Sequence, residues 1–216
     1  MKGKFITLEG SEGCGKTTQI ELLATWLKEK NKPVVCLREP GGTPLGETVR
    51  RLLKHDPAGH GMCAEAELLL FAASRAELVR RVIQPSLEKG EWVLCDRFLD
   101  STTVYQGIAR GLDAKTVAAI NHFAVASCLP DLTLVLELEA EEARRRLLRR
   151  PRPAGLAPDR MESEPELFFQ KVREGYQKLA KQEPQRVRLI PARGSRQEIA
   201  DLIQKELRHA FPRLLD

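Results

Sequence analysis

The chain has 216 residues, 42% hydrophobic and 30% charged, which is enough apolar material for a buried core and too much for a disordered chain. Its net charge of +5 and pI near 9.0 suit polyanionic ligands, either nucleic acid or nucleotides. No apolar run approaches the roughly 20 residues of a membrane span, Lys2 and Lys4 lead straight into "FITLE" without a leader pattern, and the five scattered cysteines (Cys14, Cys36, Cys63, Cys95, Cys128) form no CxxC pair. Neither a zinc cluster nor a disulfide framework is suggested, and a cytoplasmic protein is expected.

In chain order, a strand over Lys4–Glu9 runs through a glycine-rich loop into a helix over Lys16–Lys30, with Ile20, Leu23 and Leu27 at helical spacing. A second strand covers Pro33–Leu37. A long helix follows over Ala64–Leu87, carrying Leu68, Phe71, Leu78 and Val82. The third strand is Glu91–Asp96, and Asp113 caps a helix over Ala114–Ala126. The fourth strand, Asp131–Leu138, precedes a helix over Glu141–Arg150. Pro151, Pro153, Pro158 and Pro165 then mark an excursion over Arg149–Pro165 that no helix tolerates. A helix over Pro165–Ala180, with Pro165 in its first turn, the strand Val187–Pro191 and a helix over Gln197–Arg208 complete the chain. Short apolar strands alternating with helices predict βαβ units: a parallel sheet covered on both faces, an α/β fold in one domain spanning 1–216.

The loop after the first strand, Gly10-Ser11-Glu12-Gly13-Cys14-Gly15-Lys16-Thr17, satisfies G-x-x-x-x-G-K-[ST] and opens a predicted helix, the context this phosphate loop requires. Glycines let successive backbone N–H groups converge on phosphate oxygens, and the helix N-terminus adds positive potential. Lys16 bridges the terminal phosphates of ATP, and the Thr17 hydroxyl can ligate Mg²⁺, with Thr18 completing the turn. Glu12 is the unexpected member, a carboxylate inside an anion cradle. A guanine-reading Asn-Lys-x-Asp motif is missing from the sequence, so a GTPase is disfavoured.

Asp96 and Arg97 stand at the carboxyl end of the third predicted strand, a buried one, where open α/β sheets bind ligands. Asp96 suits Mg²⁺, and Arg97 suits a phosphoryl group passing between donor and acceptor. Phe71 and Arg75 lie four residues apart on one helix face; out of context they read as a core residue and a solvated charge. Six arginines between Arg144 and Arg152 (Arg144, Arg145, Arg146, Arg149, Arg150, Arg152) read as a solvated helix face or a nucleic-acid patch.

Taken together, "EGSEGCGKTT", "REPGGTPLGE" (Arg38–Glu47), "LLFAASRAEL" (Leu69–Leu78), "CDRFLDSTTVYQGIARGLD" (Cys95–Asp113), "PDLTLVLEL" (Pro130–Leu138) and "DRMES" (Asp159–Ser163) resemble bacterial thymidylate kinases over nearly the whole chain. The resemblance implies a P-loop NTPase-like three-layer α/β/α fold with a five-stranded parallel sheet, transfer of the γ-phosphoryl group of ATP to dTMP with Mg²⁺, and a homodimer without stable nucleic-acid or membrane partners. It implies that Phe71 stacks on thymine, that Arg75 hydrogen-bonds its O4, that Thr102 and Gln106 read the remaining base edge, and that Tyr105 crowds the sugar 2′ position. Arg50 and Arg97 would hold the acceptor phosphate, with Arg38 and Glu39 in the same pocket.

The resemblance further implies a mobile lid over about 149–164. With no arginine in the phosphate loop, the lid supplies the catalytic one, from Arg149, Arg150 or Arg160, alongside Lys16, Arg97 and Glu12. Glu12 is then expected to face the acceptor sugar's 3′-hydroxyl or Mg²⁺-bound water. A different small-molecule P-loop kinase and a nucleic-acid-binding regulatory ATPase are the alternatives.

Overall fold

The structure is a computed structural model that describes residues 2–149 and 159–215, apart from the side chains of Ala140, Arg144 and Leu148. Five strands, β1 (Phe5–Glu9), β2 (Val34–Arg38), β3 (Trp92–Asp96), β4 (Leu132–Glu137) and β5 (Val187–Pro191), pair in parallel in the order β2-β3-β1-β4-β5. Four fall within runs read as strands from their apolar residues, and β2 runs one residue past its predicted end, to Arg38.

The two faces of the sheet follow from the period-2 alternation of β1. Ile6 and Leu8 pack with Ile20, Leu23 and Leu27 of α1 (Lys16–Glu29), joined by Ile199 and Ile203 of α9 (Arg196–Ala210) and by Leu215 of α10 (Pro212–Leu215). Phe5 faces the opposite layer, with Leu78 of α3 (Ala64–Leu78), Phe98 and Val125. Leu23 and Leu27 are both fully enclosed, worth roughly 1.5–3 kcal/mol each in apolar burial. Further along that second layer, Val104 and Tyr105 meet Phe168, Val172 and Tyr176 of α8 (Glu166–Gln182). Helices on both faces make three layers.

Four elements differ from the sequence reading. α2 (Pro44–Lys54), inside a stretch assigned no element, is capped by the Thr43 hydroxyl, which accepts from Gly46 N–H. The long helix is α3 running into a π-helical turn, Val79–Ile83, and then α4 (Gln84–Glu88). After β3, α5 (Leu99–Thr102) continues as a π-helical segment, Thr103–Ala109; the polar, β-branched "STTVY" hides this helix from a periodicity test. Pro165 is the N-cap of α8, one residue before its first turn. α6 (Ala114–Val125) carries the expected Asp113 cap, and α7 (Ala140–Arg149) ends where the proline-bearing excursion begins. Of that predicted lid, Arg150, Arg152 and the prolines 151, 153 and 158 lie outside the described residues.

Candidate active site

Strand register brings the chemistry together. Leu8 pairs with Asp96, and Asp96 pairs with Arg38, so the carboxyl ends of β1, β3 and β2 stop at one level. Chain order reverses across β1, with β3 on one side and β4 on the other, which leaves a crevice above it. A cavity of about 1,100 Å³ opens there, reaching from Thr17 and Gln19 to Phe71 and Gln106. It stands just above the roughly 300–1,000 Å³ of a single small-ligand pocket.

The loop after β1 forms the cavity floor. Gly13 has φ +77, and a Cβ there would sit 2.4 Å from the Ala143 carbonyl oxygen of α7, so only glycine lets the loop press against that helix. Gly15, at φ 100, turns the chain into α1. The Lys16 ammonium donates to Ser11 O at 2.8 Å and Gly10 O at 3.2 Å, and so lies along the loop. The Thr17 hydroxyl donates to Asp96 Oδ2 at 2.9 Å, which puts two hard oxygen ligands side by side at the base of the cavity. Glu12, Gly13, Cys14, Gly15, Lys16, Thr17 and Thr18 line the cavity; Gly10 and Ser11 sit behind them.

Arg97 stands at the centre. Its backbone is left-handed, φ +70, a conformation that costs a side-chain-bearing residue about 1–3 kcal/mol. The flanking amides hold it there: Arg97 N–H donates to Leu8 O at 3.0 Å and Phe98 N–H to Glu9 Oε1 at 2.8 Å. The guanidinium donates to Glu12 Oε1 at 2.9 Å, Tyr105 OH at 3.1 Å and Ser101 Oγ at 3.1 Å. Burial alone would raise the Glu12 pKa, but Arg97 and Lys16 outweigh it and hold the carboxyl well below the usual range. Glu12 is therefore an anion at any working pH.

Glu9, invisible to motif reading, supports this arrangement. Fully buried at the end of β1, it also accepts from Ser101 Oγ at 2.6 Å and Tyr176 OH at 2.8 Å. Burial and the neighbouring Asp100 raise its pKa.

Across the cavity from the phosphate loop, Arg50 donates to Pro40 O at 2.9 Å and Arg38 pairs with Glu47 at 3.0 Å; both line the cavity with Glu39, Phe71, Thr102, Tyr105 and Gln106. Lys54 and Asp159, paired at 2.7 Å, join them. Arg75 lies behind this wall and is 1% exposed, so the solvated reading fails for it. A nearby carboxylate carries its charge: Nε donates to Glu39 Oε2 at 2.8 Å, Nη1 to Asn121 Oδ1 at 3.0 Å, and Nη2 to Phe98 O and Thr102 Oγ1.

Burial pushes the Glu39 carboxyl up to about 7 against the pull of Arg75, and its Oε1 has no hydrogen-bond partner among the described residues. Because the folded pKa exceeds the ordinary 4.5, the folded protein binds the extra proton more tightly. This contribution to stability is complete below about pH 4.5 and is lost as pH rises through about 7. Urea unfolding of Glu39→Gln is therefore expected to show a stability relative to the parent that rises from pH 5 to pH 8, on top of a pH-independent loss because Arg75 gives up its carboxylate; a difference independent of pH would contradict it.

Of the arginines expected in a lid, Arg149 is exposed and lines the cavity. Arg160 does not line it: its Nη2 pairs with Glu67 Oε2 at 2.5 Å and its Nε donates to Leu53 O at 3.2 Å.

A phosphate loop beside a second basic pocket is what a kinase acting on a nucleotide needs, and the comparisons decide which. The family model for thymidylate kinase matches residues 8–203. The chain belongs to the thymidylate kinase family. A thymidylate kinase of Symbiobacterium thermophilum is 46% identical over 209 residues, 97% of this chain and 94% of its own. One from Syntrophus aciditrophicus is 49% identical over 191 residues, 87% and 86% of the two chains. The crystal structure of thymidylate kinase from Ehrlichia chaffeensis matches at a TM-score of 0.75 and 34% identity, over 96% of this chain and 99% of that one. As a thymidylate kinase family member, this protein is an ATP-dependent phosphotransferase that converts dTMP to dTDP.

Proposed function

We propose a division of labour in the cleft in which the Arg97–Glu12 pair separates donor from acceptor. The supporting observation is that one guanidinium, between the phosphate loop and Tyr105, is held by a loop carboxylate, a hydroxyl and a phenol at once. On the donor side, backbone amides of Gly13–Thr18 and the Lys16 ammonium hold the ATP phosphates. Thr17 and Asp96 fit Mg²⁺, which prefers oxygen ligands with water and phosphate completing its shell. The ion supplies charge neutralisation at the transferring group.

On the acceptor side, Arg50 and Arg97 clamp the dTMP phosphate as bidentate forks, with Arg38 and Glu39 walling the pocket. Phe71 stacks on thymine; Arg75 fixes Thr102 and turns its remaining Nη1 hydrogen to the base O4; Gln106 reads the adjoining edge; Tyr105 excludes a ribose 2′-hydroxyl. A lid over about 149–164 closes on the donor within a single 1–216 domain. Arg149 is best placed to stabilise the transferring charge, Arg150 would follow it, and Arg160 must first leave Glu67. The enzyme works as a cytoplasmic homodimer, a reading supported by exposed Leu69 on α3 and Phe123, 82% exposed, on α6, two helices that pack against each other. Among the described residues no helix is long and apolar enough to cross a membrane.

Glu12→Gln tests the pair. The amide keeps the size but not the charge that orients Arg97 and accepts from the acceptor sugar. ATP affinity is expected to stay within about twofold, while kcat/KM for dTMP falls about 10- to 100-fold. Parent-like kinetics in a coupled ADP-release assay would remove Glu12 from the mechanism.

A further inference from the structure

The cavity is lined by a glutamine, Gln106, whose chemistry is undecided by residue type. A glutamine carboxamide can present either an acceptor or a donor, and the two readings select different bases. In this chain the choice is made by Glu67, on the first turn of α3 and 1% exposed. Its Oε1 lies 2.7 Å from Gln106 Nε2. A carboxylate offers only acceptors, so the atom turned toward it must be the amide nitrogen. Gln106 Oε1 then lies on the other arm of the planar amide. It has no hydrogen-bond partner among the described residues, and the side chain lines the cavity next to Thr102 and Phe71.

Resting on the reading that the base lies against Phe71, we infer that Glu67 is a specificity-positioning residue. By holding the Gln106 nitrogen away from the cleft, it commits the pocket to an acceptor that matches a ring N3–H. Thymine offers N3–H there, flanked by carbonyl oxygens; cytosine offers a bare N3 acceptor and an amino group. Facing Gln106 Oε1, cytosine N3 meets another acceptor, and both groups lose their water without gaining a bond.

The hold on Glu67 is redundant. Arg110 contacts both of its oxygens at 3.3 Å, and Arg160 reaches Oε2 at 2.5 Å. Burial alone would raise the Glu67 pKa, but the Gln106 amide and these two arginines keep it below the ordinary value. A protonated carboxyl could itself donate and let the amide turn; an ionised one cannot. Arg110 is in turn paired with Glu164 at 2.5 Å, so the last residue of the predicted lid segment is tied to the same carboxylate.

The test is calorimetric binding of dTMP and dCMP to the full chain. The ratio of the two dissociation constants is the readout, with kcat/KM for dTMP measured in parallel. In Glu67→Gln the partner amide can donate or accept, so Gln106 is free to turn; the preference for dTMP over dCMP is expected to narrow by at least about tenfold. Arg110→Lys loosens Glu67 without touching the amide bond and should leave the ratio in place. Should Glu67→Gln fail to fold, Glu67→Asp, one methylene short of the amide, carries the same expectation. Equal weakening of both ligands by the Glu67 variants, with the ratio unchanged, overturns the inference and makes Glu67 merely structural. Gln106→Leu separates the two levels. If it collapses the ratio while the Glu67 variants do not, only the positioning role fails. If it too leaves the ratio intact, the base does not sit against Gln106, and the inference falls with that reading.

Discussion

Lys16→Met is expected to lower kcat about 10²- to 10³-fold, the usual cost of removing one preorganised charge or donor from a transferring group. The side chain is 7% exposed, and its ammonium rests on the carbonyls of Gly10 and Ser11, so its position is fixed before any phosphate arrives. Methionine fills a similar volume without the charge. Both loop carbonyls lose a donor, which adds a stability cost of about 1–3 kcal/mol. Activity and stability therefore separate: thermal melts should show a folded protein of modestly lower midpoint, while initial rates at saturating ATP and dTMP show the loss. A variant that melts normally and turns over within tenfold of the parent would move the phosphate-bridging role elsewhere.

Arg97→Ala is expected to cost more, about 10³-fold in kcat or beyond, because a charge that neutralises a transferring phosphoryl group is worth about 10³–10⁵. The change also leaves Glu12, only partly exposed, without its principal partner beside the ATP phosphates. Arg97→Lys should recover little. One fork now serves Glu12 Oε1, Tyr105 OH and Ser101 Oγ in different directions, and a single ammonium cannot reproduce that plane. The double variant Glu12→Gln/Arg97→Ala should lose much less than the sum of the single losses, because each single change already disables the pair. Additive losses in the four-way kinetic comparison would show that the two side chains act independently.

The sequence carried the sheet because apolar strands announce themselves over five or six residues; four predicted runs contain the observed strands, and the second misses only Arg38, whose charge ends the apolar run. The phosphate loop was equally plain, since its glycines, Lys16 and Thr17 act through spacing that local chain geometry enforces. Arg75 was different. Its neighbourhood suggests a surface charge, yet it is among the most buried side chains of the molecule, because Glu39, Asn121 and Thr102 arrive from three other segments to satisfy it. Glu9 and Glu67 escaped for the same reason. Glu9 depends on Tyr176, 167 residues away, and Glu67 on Gln106 and Arg160, so nothing within a window of either signals a role. The positive φ of Arg97 is a property of how β3 meets β1, and no residue preference of arginine foretells it. Motif reading thus found many of the groups that line the cavity and missed Glu9 and Glu67, the buried carboxylates behind them.

The central claim is that one cleft brings ATP to dTMP and reads the base. Its most direct measurement is the rate of ATP-dependent ADP formation by the purified full chain with Mg²⁺, across dTMP, dUMP, dCMP, dAMP, dGMP and AMP under identical conditions. The account predicts the highest kcat/KM for dTMP, with the cytosine and purine nucleotides lower by orders of magnitude. Preferred turnover of AMP or dCMP, with dTMP left unphosphorylated, would contradict it.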